Sequence, residues 1–221
     1  MELRETVLKR RTIRKFLSRT VPQKEIEEIM NDASWSPSWG NTQPYEIYVS
    51  TGRVTETIKK RNLEAFQTGI QSNTDVPTPV KWPELLKSRY VDVGRRVLTA
   101  QSIKREDQER RVEYYQNMFT LFDAPVFVVF VVDEALNLEY SMLDIGLITQ
   151  TVCLLAQERG LGSCVLASSV TYPEIIREAM GIPDSRKIVI GLGLGYPDLN
   201  DPINTFERKR APLDEIVRWV D

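Results

Sequence analysis

An α+β fold, one sheet covered on its faces by helices, is predicted by three features of this 221-residue chain. APVFVVFVVD (124–133) is a continuous apolar run, the pattern of a strand buried on both faces. EYSMLDIGLITQTVCLLAQER (139–159) is the longest apolar helix pattern in the chain. Helices and strands mix without a regular β-α-β alternation, which leaves a doubly wound nucleotide fold as the lesser alternative. A chain of this length fits a single core, so residues 1–221 are expected to form one domain.

The elements follow in order. Residues 2–10 read as a short amphipathic helix that runs into the basic stretch KRRTIRKF (9–16). Pro22 suits the first position of the next helix, in which Ile26, Ile29, Met30 and Ala33 recur at helical spacing. Pro37, Gly40 and Pro44 break that helix within SWSPSWGNTQP (34–44). YEIYVS (45–50) alternates like a strand, and 53–71 reads as a helix. Residues 72–104 are the least legible: 72–86 look like a loop and 87–101 like a helix. Residues 105–120, rich in Arg and Glu, read as an exposed helix. The 139–159 pattern is apolar nearly all round, which predicts burial on every side, and Gly160 stands where a helix ends. GSCVLAS (162–168) reads as a strand, TYPEIIREAM (171–180) as a helix with Pro173 in its first turn, and KIVIGLGLGYP (187–197) as a strand. A polar C-terminal arm (198–221) carries FERKRAP. No internal repeat is present.

Composition removes several function classes. Lys plus Arg number 29 against 31 Asp plus Glu, a net charge of -2, so the chain lacks the cation excess of a general nucleic-acid binder. There is no histidine, which excludes His-dependent triads, HExxH metal sites and histidine general bases. The two cysteines, Cys153 and Cys164, form neither a CxxC pair nor a disulfide framework, and no metal site is expected. The first residues have no apolar leader, and no continuous apolar stretch approaches the roughly 18 residues of a membrane helix. No membrane partner is expected, and a cytoplasmic location is. Any redox or group-transfer chemistry is expected to come from a cofactor.

GLGLG (191–195) invites a dinucleotide reading, but its glycines alternate inside an apolar strand and Pro197 follows. On a period of two they share one face, where they let another element approach closely. KRRTIRKF places five cations in its first seven positions with no acid among them. Arg10, Arg11 and Arg14 with the Thr12 hydroxyl match the charge and hydrogen-bonding capacity of a phosphate monoester. A solvated helix end fits that segment equally well, since cations favour helix C-termini. The second segment, SPSWGNTQP, concentrates Ser36, Ser38, Asn41, Thr42 and Gln43 around Trp39, which suits the rim of a planar polar ligand.

Taken together, RRTIRKF, then VPQKEIEEIMNDASWSPSWGNTQPYEIYV, resembles the nitroreductase family of FMN-dependent oxidoreductases. The later stretches LDIGLITQTVCLLAQERGLGSCVLAS, MGIPDSRKIVIGLGLGYPD and RKRAPLDEIVRW are similar to that family's central helix, last strand and C-terminal arm. The resemblance covers residues 4–58 and about 124–219. It implies a central mixed or antiparallel sheet flanked by helices, in an intertwined homodimer with FMN at the subunit interface. It implies that Arg10, Arg11, Thr12 and Arg14 cradle the FMN phosphate and ribityl chain, with Arg210 returning to the same phosphate and Arg208 beside it. Pro37, Ser38 and Trp39 would reach the flavin from the other subunit, and Asn41 and Gln43 would shape their loop. The backbone of Val165, Leu166 and Ala167 would run beside the flavin edge near N5, although Val165 and Leu166 read equally as core strand. Gly146 would let helices approach across the dimer, and Asp144 and Gln150, if buried, need hydrogen-bond partners.

Thr12 replaces the family's commoner serine and keeps the hydroxyl. Residues 60–123 match no motif; they fall where the family varies its lid, and they carry Trp82, Tyr90, Tyr114, Tyr115, Phe119 and Phe122. The implied activity is NAD(P)H oxidation coupled to reduction of nitroaromatic, quinone or similar electron-poor small molecules in a ping-pong cycle. Another FMN reaction on the same scaffold (reductive dehalogenation, flavin fragmentation) and a flavin-free binding protein are the alternatives. No motif decides between NADH and NADPH.

Overall fold

The computed structural model describes residues 2–220. Its four-stranded sheet has the order β1-β2-β4-β3, from β1 (Tyr45–Thr51), β2 (Val126–Asp133), β4 (Arg186–Gly195) and β3 (Gly162–Leu166). Every neighbouring pair is antiparallel. β2 is buried from Val126 to Val132, and side chains alternate across a strand, so its unbroken apolar run feeds two cores. Val126, Val128, Phe130 and Val132 pack with Ile26 and Ile29 of α2 (Gln23–Ala33) and Ile145 and Ile148 of α6 (Leu138–Glu158). Phe127, Val129 and Val131 pack on the other face with Ile58 of α3 (Gly52–Gln67) and Ile176 of α7 (Pro173–Met180). Ile13 and Phe16 also enter this second core, which anchors the basic stretch between them.

The glycines of β4 have a packing cause. A Cβ on Gly191 would lie 2.1 Å from the Ser169 Oγ and 2.6 Å from the Phe127 ring, and one on Gly195 would lie 2.5 Å from Pro125. β4 leads into a bridge between Phe16 and Pro197, not into a helix N-terminus, so the phosphate-loop reading of GLGLG has no structural basis.

The elements left blurred by the sequence are ordered by long-range contacts. α4 (Glu84–Ala100) begins three residues before the predicted helix, on Pro83, whose carbonyl accepts from the Lys87 N–H at 2.9 Å. β4 carries an extra residue against β2, where Phe130 opposes Ile190 and Val131 opposes Ile188. At this bulge the Ile188 N–H donates to Asp75 Oδ2 at 2.7 Å, and Arg177 donates to the same oxygen at 2.7 Å. The segment before α4 is thereby tied to the sheet. α5 (Gln108–Phe119) is an exposed helix as expected, although Phe119 stacks on Phe66 at 4.3 Å and Tyr114 meets Phe122 at 5.9 Å.

One expectation needs correction. α6 is buried on one side only: Ile145, Ile148 and Val152 face the core, while Tyr140, Leu143 and Leu147 are 59%, 64% and 45% exposed. The all-round apolar pattern therefore sums a core face and an open face. Gln150 lies on the exposed side, so it needs no buried partner. α1 (Leu3–Lys9), which packs against α6, likewise buries only Thr6 and leaves Leu3, Val7 and Leu8 outside. By length and mean hydropathy (21 residues, 1.2) α6 passes as a membrane-crossing segment, yet its inner face belongs to the core against the sheet.

Candidate functional site

The basic stretch is held as an extended segment by three sets of backbone contacts. Thr12 bridges Ser163 at the start of β3, with the Ile13 N–H donating to Ser163 O at 2.9 Å. The Leu17 N–H donates to Tyr196 O at 2.9 Å, and the Asp198 N–H to Lys15 O at 3.0 Å. The C-terminal arm then makes an excursion through α8 (Pro202–Thr205) and returns along the same segment in the reverse direction. Arg11 donates to the Phe206 carbonyl and lies over the Phe206 ring at 5.6 Å. Arg208 donates to the carbonyls of Arg10 and Leu8.

This pairing gathers Arg10, Arg11, Thr12, Arg14, Arg208 and Arg210 on one cavity of about 750 Å³ whose far wall is α4. The acids nearby are spoken for: Asp92 pairs with Arg95 and Arg96, Glu207 with Arg96, and Glu215 with Arg89. Among the described residues, none of Arg10, Arg11, Arg14, Arg208 and Arg210 has a carboxylate partner. Burial lowers the pKa of Arg11, and the charges of Arg208 and Arg14 lower it further. Arg208 is lowered in the same way, by burial and then by Arg210 and Arg10. The guanidiniums thus repel one another in a cleft whose two lining acids, Asp92 and Glu215, are paired with Arg95 and Arg96 and with Arg89. Such a cleft fits a multivalent anion, with Thr12 adding a hydroxyl.

Arg14 also faces Tyr114 and Cys164. Burial raises the Tyr114 phenol and the nearby Arg14 charge opposes that shift. Burial pushes the Cys164 thiol up to about 12, again against Arg14, which makes it inert near neutrality.

The other predicted residues form separate groups. Pro37, Ser38 and Trp39 line a second cavity of about 540 Å³ with Tyr140, Leu143 and Leu147 of α6. The loop is stitched in place: the Trp39 N–H donates to Asp144 Oδ1 at 3.1 Å, and the Gln43 N–H to Ser38 Oγ at 2.9 Å. Gln43 Nε2 donates to Asn41 O at 2.9 Å, and both residues hold positive φ, 46° and 56°. Asn41 and Gln43 thus bond to one another within this loop, and Asp144 has a hydrogen-bond partner. Val165 and Leu166 end β3, starting two residues beyond the Ser163 contact, and Ala167 follows the strand; the three line neither cavity. Leu166 is a core side chain at 5% exposure, whereas Val165 is 45% exposed. Trp82 and Tyr90 stack at 6.1 Å, partly exposed, while Phe122 is buried.

Sequence reasoning missed Asn204. It is fully buried, and its side chain accepts from the Arg14 N–H at 2.7 Å while donating to Lys15 O at 2.7 Å and Asp198 O at 2.8 Å. The only local signal was an asparagine in a polar arm, which reads as a turn.

Comparison with known proteins gives a consistent result. The Nitroreductase family model matches residues 7–196. A 4-nitrobenzoate reductase of Pseudomonas putida is 34% identical over 219 residues, covering 97% of this chain and 93% of that protein. The FMN and NADPH-dependent nitroreductase NfnB from sphigopyxis sp. strain HMH superposes with a TM-score of 0.96 at 26% identity, covering 100% of both chains. The FMN-dependent nitroreductase NfnB from Mycobacterium smegmatis, solved in complex with NADPH, superposes with a TM-score of 0.93 at 25% identity, covering 99% of this chain and 98% of that one.

Proposed function

The chain belongs to the nitroreductase family, and from that premise we propose that it binds FMN and uses NADH or NADPH to reduce nitroaromatics, quinones or similar electron-poor small molecules. The observation that carries the reading is the cavity on which Arg10, Arg11, Arg14, Arg208 and Arg210 converge, none of them paired with a carboxylate among the described residues. A phosphate monoester brings close to two negative charges and several acceptor oxygens, which is what that cavity lacks. Arg10, Arg11, Arg14 and Arg210 supply the charge, Thr12 a hydroxyl, and Arg208 ties the arm in place while adding to the positive field.

FMN held by Arg10, Arg11, Thr12, Arg14 and Arg210 would supply the redox chemistry between a reduced nicotinamide and the acceptor. The chain's part is to seat the phosphate, fix the ring and keep one face of it open. The backbone of 165–167 continues from the strand that holds the basic segment, so it is offered to the ring edge. The open face of α6, with Tyr140, Leu143 and Leu147, is the surface on which a second copy docks, and it shares its cavity with Pro37, Ser38 and Trp39. In that homodimer the stitched loop closes the site of the partner. The chain has no histidine, so no imidazole of its own serves as acid.

One open site serving both substrates in turn predicts a specific kinetic pattern. With FMN-loaded protein, varying NADPH at several fixed concentrations of 4-nitrobenzoate should give parallel double-reciprocal lines. Intersecting lines, or no turnover with either nicotinamide, would contradict the proposal.

A further inference from the structure

We infer that Asn204 is a positioning residue that sets the geometry of the arginine cavity, so that the preference for a phosphorylated over an unphosphorylated flavin depends on it. The inference rests on the reading of that cavity as a phosphate seat. Asn204 touches no ligand position itself; it acts on the two segments that carry the cations.

An asparagine amide has one acceptor oxygen and two N–H donors. All three functions are engaged here, on the Arg14 N–H, Lys15 O and Asp198 O, with the residue wholly out of water. The bonded groups lie 190 positions apart in sequence for Arg14 and 189 for Lys15. One side chain therefore clamps the end of the basic run against the root of the arm that later delivers Arg208 and Arg210. The clamp takes hold at the backbone of Arg14 itself, so it fixes where that guanidinium starts. Further along, Arg208 meets the Arg10 carbonyl and Arg11 meets Phe206, so the pairing continues from this point.

No other side chain reproduces the set. Alanine leaves a buried N–H and a buried carbonyl short of a partner. Aspartate keeps the shape and an acceptor for Arg14, but turns its second oxygen toward the Asp198 and Lys15 carbonyls. Either change releases the registration of the two segments while all five arginines remain in the chain.

The test is to titrate the flavin-free protein with FMN and with riboflavin, and to compare the ratio of the two affinities. Asn204→Ala and Asn204→Asp are the variants; the isosteric aspartate serves if alanine fails to fold. Ile188→Val, in the buried part of β4 away from the cavity, controls for lost stability. Both Asn204 variants are expected to lower the FMN-to-riboflavin ratio by about tenfold or more, the scale of one charge-assisted hydrogen bond. Ile188→Val is expected to lower the melting temperature and leave the ratio alone. A wild-type protein that prefers FMN, with Asn204 variants keeping the same ratio, would overturn the inference; so would an equal fall for both flavins, which marks a merely structural residue. A wild-type protein that binds the two flavins equally would instead overturn the phosphate seat.

Discussion

Arg14→Ala is expected to give a folded protein that no longer retains FMN. Arg14 sits between the cavity and the aromatic packing of α5, and its backbone is held by Asn204 whatever its side chain. Truncation therefore removes the guanidinium and leaves the segment in register. A charge-assisted hydrogen bond contributes about 1.5–3 kcal/mol, and a forked guanidinium makes two. A loss of about 3–4 kcal/mol weakens binding by several hundredfold. Isothermal titration with FMN reads the change, and circular dichroism reports that the fold is intact. Stoichiometric flavin in purified Arg14→Ala would show that the phosphate lies elsewhere.

Leu143→Glu is expected to split the proposed dimer and to lose flavin with it. Leu143 is 64% exposed on the outer face of α6 and lines the cavity beside Trp39, so within one chain the new carboxylate stays in reach of solvent. In a two-fold interface the same change buries an unpaired carboxylate twice. Stranding a buried charge costs about 3–5 kcal/mol per site, about 6–10 kcal/mol for the two, so dimer dissociation should rise by about ten-thousandfold or more. Sedimentation velocity at micromolar protein distinguishes a monomer from a dimer, and the flavin content of each peak reports whether the site needs both copies. A dimeric Leu143→Glu protein would place the subunit contact on another face.

The strands were legible because β2 and β4 are buried on both sides, where apolar residues need not alternate with polar ones. α6 was legible as a helix, but the destination of its faces was not. Composition summed around a helix cannot separate Ile145, which enters the core, from Leu143, which does not. Residues 72–83 were illegible for a different reason. Their order comes from bonds to distant partners, Asp75 to the Ile188 N–H and Arg177, and the Asn73 N–H to Thr171 O, and no local pattern encodes these.

The candidate site divides along the same line. Arg10, Arg11 and Arg14 announced themselves by density of charge, and the structure brings Arg208 and Arg210 to them from the other end of the chain. The buried amide that registers the two segments left no such mark, because an asparagine reveals its role only through what folding places around it. Residues 37–39 stand apart from the arginine cavity within one chain, which is where the proposed second copy becomes necessary.

The measurement that tests the central claim most directly is the visible spectrum of the FMN-loaded protein during anaerobic addition of NADH or NADPH. Flavin bands that bleach with one equivalent of reduced nicotinamide, and return on addition of a nitroaromatic acid, are the expected result. A protein that cannot be loaded with FMN, or whose bound flavin is reduced by neither nicotinamide, would contradict the account.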